Sequence, residues 1–138
     1  LLPLETAEQA PPDGEPAACL PRLAELGVES VVATDDGSLG VAGFVSEAFL
    51  RWLDRRDRPG DELVVYSCGP EPMMRTVGEL CVARGIACRL ALERHMACGM
   101  GTCQSCVVKI RDDTERGWSY KLCCTDGPVF DAREVRWD

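Results

Sequence analysis

"ELVVYSCGPEPMMRTVGELCVARGIACRLALE", residues 62–93, reads as a strand, a helix and a second strand in succession. "ELVVYS" is a short continuous apolar run, the pattern of a strand covered on both faces. In "CGPEPMMRTVGELCVARG" Pro72 stands near a helix start, where its missing N–H does no harm. Met73, Val77, Leu80 and Cys81 then follow at helical spacing, and Gly85 closes the helix. "ACRLALE" predicts the next strand. The alternation implies a parallel sheet with covering helices.

Working toward the N-terminus, "FVSEAFLRWLDRR" (44–56) predicts an amphipathic helix with Val45, Phe49, Leu50 and Leu53 inward. "RPGD" (58–61) breaks it. Arg51, Arg55, Arg56 and Arg58 interleave with Asp54, Asp57 and Asp61, as at a solvated helix end and turn. "VESVVAT" (28–34) predicts a strand through Val28, Val31 and Val32, ended by the turn chemistry of Asp36, Gly37 and Ser38. "CLPRLAELG" (19–27) spaces Leu20, Leu23 and Leu26 on one helical face, and Gly27 stops it. Residues 5–18, "ETAEQAPPDGEPAA", have no periodicity. Residues 1–18 therefore read as loop or linker, and 19–93 as a partial α/β domain.

After Glu93 the character changes, and residues 94–138 read as a second, small antiparallel β domain. "CVVKIR" predicts a strand with Val108 and Ile110 on one face, Val107 and Lys109 on the other. "DDTERG" is a turn and "WSYKL" the returning strand; the tail from Cys123 is compact. Ahead of them stands "HMACGMGTCQSCVV" (95–108). Its Cys98-x4-Cys103-x2-Cys106 is the plant-type spacing for three thiolate ligands of a [2Fe–2S] cluster. A fourth thiolate must come from elsewhere, and Cys123 and Cys124 stand downstream. Gly99 and Gly101 suit a loop that wraps a cluster. His95 is the one histidine, so a Rieske centre, which needs two, is excluded. A four-thiolate zinc site usually shows two Cys-x2–4-Cys pairs rather than a triplet and a distant Cys, so zinc is the runner-up. A metal-free thiol cluster would be prone to oxidation.

Composition narrows the class further. The chain has 138 residues and a formal net charge of -8, which argues against nucleic acid or an anionic membrane as partner. No apolar run is long enough for a membrane span, and the opening "LLPL", too short and without a basic flank, is not expected to be a signal peptide. The opening Leu1 in place of Met points to a fragment or processed chain. Nine cysteines cannot all pair within one chain. Without a secretion signal they predict a cytoplasmic protein whose thiols stay reduced or hold a metal. Cys19, Cys81 and Cys88 sit in apolar stretches and read as small buried hydrophobes.

"CGPEPMM" (68–74), "MACGMGTCQSCVV" (96–108) and "DGPVF" (126–130), in that order, resemble the electron-transfer subunit of dihydroorotate dehydrogenase B. "TDDGSLGVAGFV" (34–45) is similar to the loop before that family's next helix, and the likeness covers about 28–138. It implies a member of the ferredoxin-reductase superfamily: a flavin barrel, an NAD-binding half, and a C-terminal [2Fe–2S] domain. Electrons would pass between FMN in the partner catalytic subunit, the cluster, FAD and NAD(H), in pyrimidine synthesis. The resemblance makes residues 19–93 a partial NAD-binding-like domain with Cys68, Gly69 and Pro70 facing the nicotinamide–flavin region. It places the fourth ligand two residues before "DGPVF", at Cys124. A reductase subunit of another flavin/iron–sulfur oxidoreductase, of hydrogenase or sulfide dehydrogenase type, is the alternative, and a zinc-stabilised non-redox module a third reading. The flavin barrel and the Gly-rich first turn of the NAD half have no counterpart in these residues. Weak or absent binding of FAD and NAD(H) by the chain alone is the expectation, and the chain alone is not expected to be catalytic.

Overall fold

The computed structural model describes residues 23, 25–28, 30–55 and 63–137. The linker expected at 1–18, most of the helix expected at 19–27, Cys19 and the "RPGD" break lie outside the described residues. The chain divides into two units, Leu1–Asp57 and Arg58–Asp138. Both are mixed α/β.

In the first unit β1 (Ala33–Thr34) pairs in parallel with β2 (Val41–Ala42), and α1 (Val45–Asp54) follows. The turn between the strands is held by local side chains. Ser38 N donates to Asp36 Oδ1 at 2.9 Å, and Thr34 Oγ1 donates to the Leu39 carbonyl at 2.8 Å. Two expectations are corrected here. The strand is two residues long, because only Ala33 and Thr34 find ladder partners; the apolar residues before them carry no ladder. In α1 the buried residues are Ala48 and Leu53, while Val45 is exposed. Two such short strands offer too little surface to cover the first turn as well.

The second unit runs β3 (Val64–Cys68), α2 (Glu71–Ala83), β4 (Ala87–Ala91), β5 (Val107–Arg111), β6 (Trp118–Leu122) and β7 (Val129–Asp131). β3 and β4 pair in parallel, as strand–helix–strand predicts, with Val65 beside Cys88 and Ser67 beside Leu90. Pro72 lies in the first turn of α2, and Gly85 leaves the helix with φ 69°. The helix closes tightly on β4 at Gly78, where a Cβ would lie 3.3 Å from Leu90 Cδ1 and 3.4 Å from Ala132 Cβ. Met74, Cys81, Cys88 and Leu90 form the core beneath it. Full burial of a side chain such as Leu90 contributes about 2 kcal/mol.

The expectation that "ELVVYS" is covered on both faces is not met. α2 covers the Val65–Ser67 side, and alternation along the strand turns Val64 and Tyr66 to the other side, where Tyr66 is 77% exposed. β7 adds antiparallel to the far edge of β4, Leu90 opposite Phe130. β5 and β6 form the expected antiparallel pair, with Val108 and Ile110 buried. Residues 134–136 run beside β5: Arg111 N donates to the Glu134 carbonyl at 2.7 Å and Arg136 N to the Lys109 carbonyl at 3.0 Å.

Candidate metal centre

The hairpin register gathers cysteines distant in sequence. Val107 pairs with Leu122, so the residues just outside the ladder, Cys106 and Cys123, face each other, and Cys123 N donates to the Cys106 carbonyl at 3.0 Å. Residues 123–126 form a turn, and it separates the two neighbouring thiols. Cys123 turns inward and is fully buried, whereas the Cys124 thiol hydrogen-bonds with Cys106 and accepts the Gly101 N–H.

The loop from Cys98 to Cys106 bends around these two. Gly99, Gly101 and Gln104 all have positive φ, of 67°, 86° and 56°. Three left-handed residues in so short a stretch make the chain wrap rather than extend. At Gly101 a Cβ would also press on Thr125 Cγ2 at 3.2 Å. The wrapped backbone aims donors at sulfur. Met100 N and Cys103 N donate to Cys98 Sγ at 3.5 and 3.4 Å. Cys103 Sγ lies 3.2 Å from Ser105 Oγ. That hydroxyl, then the Ser105 N–H, then Cys98 hold the Cys103 thiol down to about 6, within reach of the thiolate a metal needs. Cys124 is held up, first by its hydrogen bond with Cys106. Burial holds up Cys123, and pushes Cys88 in the α2–β4 core to about 12.

Cys98 and Cys103 thus stand together, the Cys103 N–H on the Cys98 sulfur at 3.4 Å, and Cys124 stands beside Cys106. Among the described residues no three His, Cys, Asp or Glu side chains are arranged around a single ion. Two pairs of thiols with sulfur-directed N–H groups match the donor set of a two-iron cluster, which needs two thiolates per iron. Cys106 is buried and Cys103 exposed, so the site lies at the surface with one side against the core.

Cys68, Gly69 and Pro70 fall elsewhere in the same unit. Cys68 is exposed at the end of β3. Gly69 and Pro70, with Glu71, Met74, Glu93, Arg94 and His95, line a cavity of about 550 Å³. An ion pair of 2.7 Å joins Arg94 to Glu71 beside it. The segment 93–97 connects the two places: its first three residues line the cavity, while the His95 carbonyl and the Ala97 N–H bond Ser105 in the cysteine loop. Sequence reasoning missed Ser105 and Arg94. The signal for Ser105 was a hydroxyl between two spaced cysteines; Arg94 carried none.

Residues 93–136 match the family described as the iron–sulfur cluster binding domain of dihydroorotate dehydrogenase B. Curated relatives named dihydroorotate dehydrogenase B (NAD(+)), electron transfer subunit, are similar to most of the chain. The one from Caldanaerobacter subterraneus subsp. tengcongensis is 41% identical over 78% of this chain and 40% of its own length. That from Desulforamulus reducens is 37% identical over 87% of this chain and 44% of its own. The chain therefore spans about two fifths of the length of these relatives. A solved structure described as an NADH-dependent reduced ferredoxin-NADP oxidoreductase, in work on flavin-based electron bifurcation, superposes with a TM-score of 0.64 at 27% identity. It covers 82% of this chain and 37% of the other. Among the described residues no helix is long and apolar enough to cross a membrane. Residues 93–136 thus belong to the iron–sulfur cluster binding domain family of dihydroorotate dehydrogenase B, in a chain similar over most of its length to that enzyme's electron transfer subunits.

Proposed function

We propose that this chain is the iron–sulfur part of an electron transfer subunit, working between the flavin of a dihydroorotate dehydrogenase and FAD/NAD(H) in pyrimidine biosynthesis. The observation that carries the reading is the double thiol pair, Cys98/Cys103 and Cys106/Cys124, beside backbone donors aimed at sulfur. These four would hold a [2Fe–2S] cluster, and bound there it would supply a one-electron relay. The chain's own part is to fix the thiolates, to lower Cys103 toward its ligating form, and to shield one side of the site with the β5–β6 pair. Residues 94–138 act as the cluster-binding domain and 19–93 as a partial NAD-binding-like layer. Cys68, Gly69 and Pro70, beside the cavity at the end of β3, are where the nicotinamide–flavin end would approach, the usual crevice of an open α/β sheet. The partner is an FMN-containing catalytic subunit, and the setting is the cytoplasm, where the thiols stay reduced.

Anaerobically purified protein is expected to carry one [2Fe–2S] cluster per chain, with iron and labile sulfide in equal amounts and a reduced-state EPR signal. Stoichiometric zinc without visible absorbance would overturn the reading. The likeness to the ferredoxin-NADP oxidoreductase favours a second reading, the reductase subunit of another flavin/iron–sulfur system. Dihydroorotate-dependent reduction of the cluster through an added dihydroorotate dehydrogenase catalytic subunit separates the two.

A further inference from the structure

Ser105 lies between two of the four proposed ligand thiols, its side chain exposed and bonded back to residues 95 and 97. Its Oγ accepts the Ala97 N–H at 3.3 Å and stands 3.2 Å from Cys103 Sγ and 3.2 Å from the His95 carbonyl oxygen. A hydroxyl has one proton, so it can donate to only one of the last two. A thiol at Cys103 could itself be the donor. A sulfur bound to iron has no proton and can only accept. The choice then lies between a charged sulfur and a neutral carbonyl at equal distance, and charge-assisted hydrogen bonds are the stronger. The Ala97 N–H, donated to the same oxygen, polarises the hydroxyl further.

We propose that the Ser105 hydroxyl donates to the Cys103 ligand sulfur and raises the reduction potential of the cluster. The inference rests on the cluster reading above and adds the residue that tunes it. Reduction adds negative charge to the iron–sulfur unit, and a donor to a ligand sulfur stabilises that charge more than the oxidised form's. Cys98 receives its donors from backbone N–H groups, which no substitution removes cleanly. At Cys103 the donor is a side chain and can be exchanged. Ser105 is a positioning and tuning residue, not a ligand, and it is exposed, so a slightly larger side chain has room.

The test compares Ser105→Thr with Ser105→Val in the full chain, purified anaerobically. The two side chains have nearly the same shape and differ in the hydroxyl. Iron, sulfide and EPR report the loaded fraction, and a redox titration followed by EPR reads the potential on that fraction alone. Ser105→Thr is expected to titrate with the wild type. Ser105→Val is expected to shift to lower potential, reducing the ratio of reduced to oxidised cluster by roughly threefold to tenfold at the wild-type midpoint. A loaded Ser105→Val protein with an unshifted midpoint would overturn the proposal and leave the cluster reading standing, the hydroxyl then serving the His95 carbonyl. Wild-type protein without a cluster would remove both.

Discussion

Cys123 and Cys124 are chemically identical neighbours with different surroundings. In the sequence nothing but a resemblance separates them. The structure separates them at the turn where β6 ends: Cys123, just past the ladder, is fully buried with its N–H on the Cys106 carbonyl, and the Cys124 side chain lies beside Cys106 and Gly101. Cys124→Ala is therefore expected to lose the cluster, read as loss of iron and of visible absorbance. Cys123→Ala is expected to keep both and to lose about 1 kcal/mol of stability from a small cavity, read by urea denaturation. Iron lost from Cys123→Ala but kept by Cys124→Ala would reverse the assignment. Cys98, Cys103 and Cys106 could be read as candidate ligands because their spacing is local. Ser105 was not, because its partners at 95 and 97 come near only once the loop has folded back.

At the scale of elements, β3, α2, β4, β5 and β6 could be read from periodicity, since each is set by its own run of residues. β7 could not. Val129, Phe130 and Asp131 are too few to show alternation, and their partner β4 lies some forty residues earlier. What ties β7 down is Asp131, 5% exposed, which accepts Arg89 Nη1 and Arg133 Nη2 at 2.7 Å each and also the Arg133 N–H at 2.9 Å. The Arg133 hydrogen bond, followed by the charges of Arg133 and Arg89, holds its carboxyl down to about 2 against the cost of burial. The folded value lies below the unfolded one. This contribution is fully present above about pH 4 and is lost as pH falls toward 2. Because the arginine side chains are 44% and 68% exposed, solvent screening leaves roughly 1 kcal/mol. Asp131→Asn is expected to lower the urea midpoint by a constant amount from pH 8 to pH 5, with the gap narrowing only below about pH 4. A gap that closed between pH 8 and pH 6 would show that a different group carries the effect.

Over the whole molecule, charge and the make-up of the cavity bear on what this chain binds unaided. The net charge is -8. The cavity beside Gly69 and Pro70 sets Glu71 and Glu93 against Arg94, and Glu71 already pairs with that arginine at 2.7 Å. A dinucleotide brings two phosphates, which need free N–H groups at a helix start or unpaired cations. α2 does begin beside the cavity, but Pro72 brings no N–H to its first turn and Glu71 puts a carboxylate there. The chain also spans only about two fifths of its relatives, 40% and 44% in the two compared. The 138-residue chain is therefore expected to bind NADH or FAD with a Kd weaker than about 0.1 mM, or not at all, by titration calorimetry on cluster-loaded protein. Arg94→Ala, which removes the positive partner from the cavity, should leave that result unchanged. Micromolar binding of either cofactor, abolished in Arg94→Ala, would mean that the arginine leaves Glu71 for a phosphate and that the cavity is a nucleotide site in its own right.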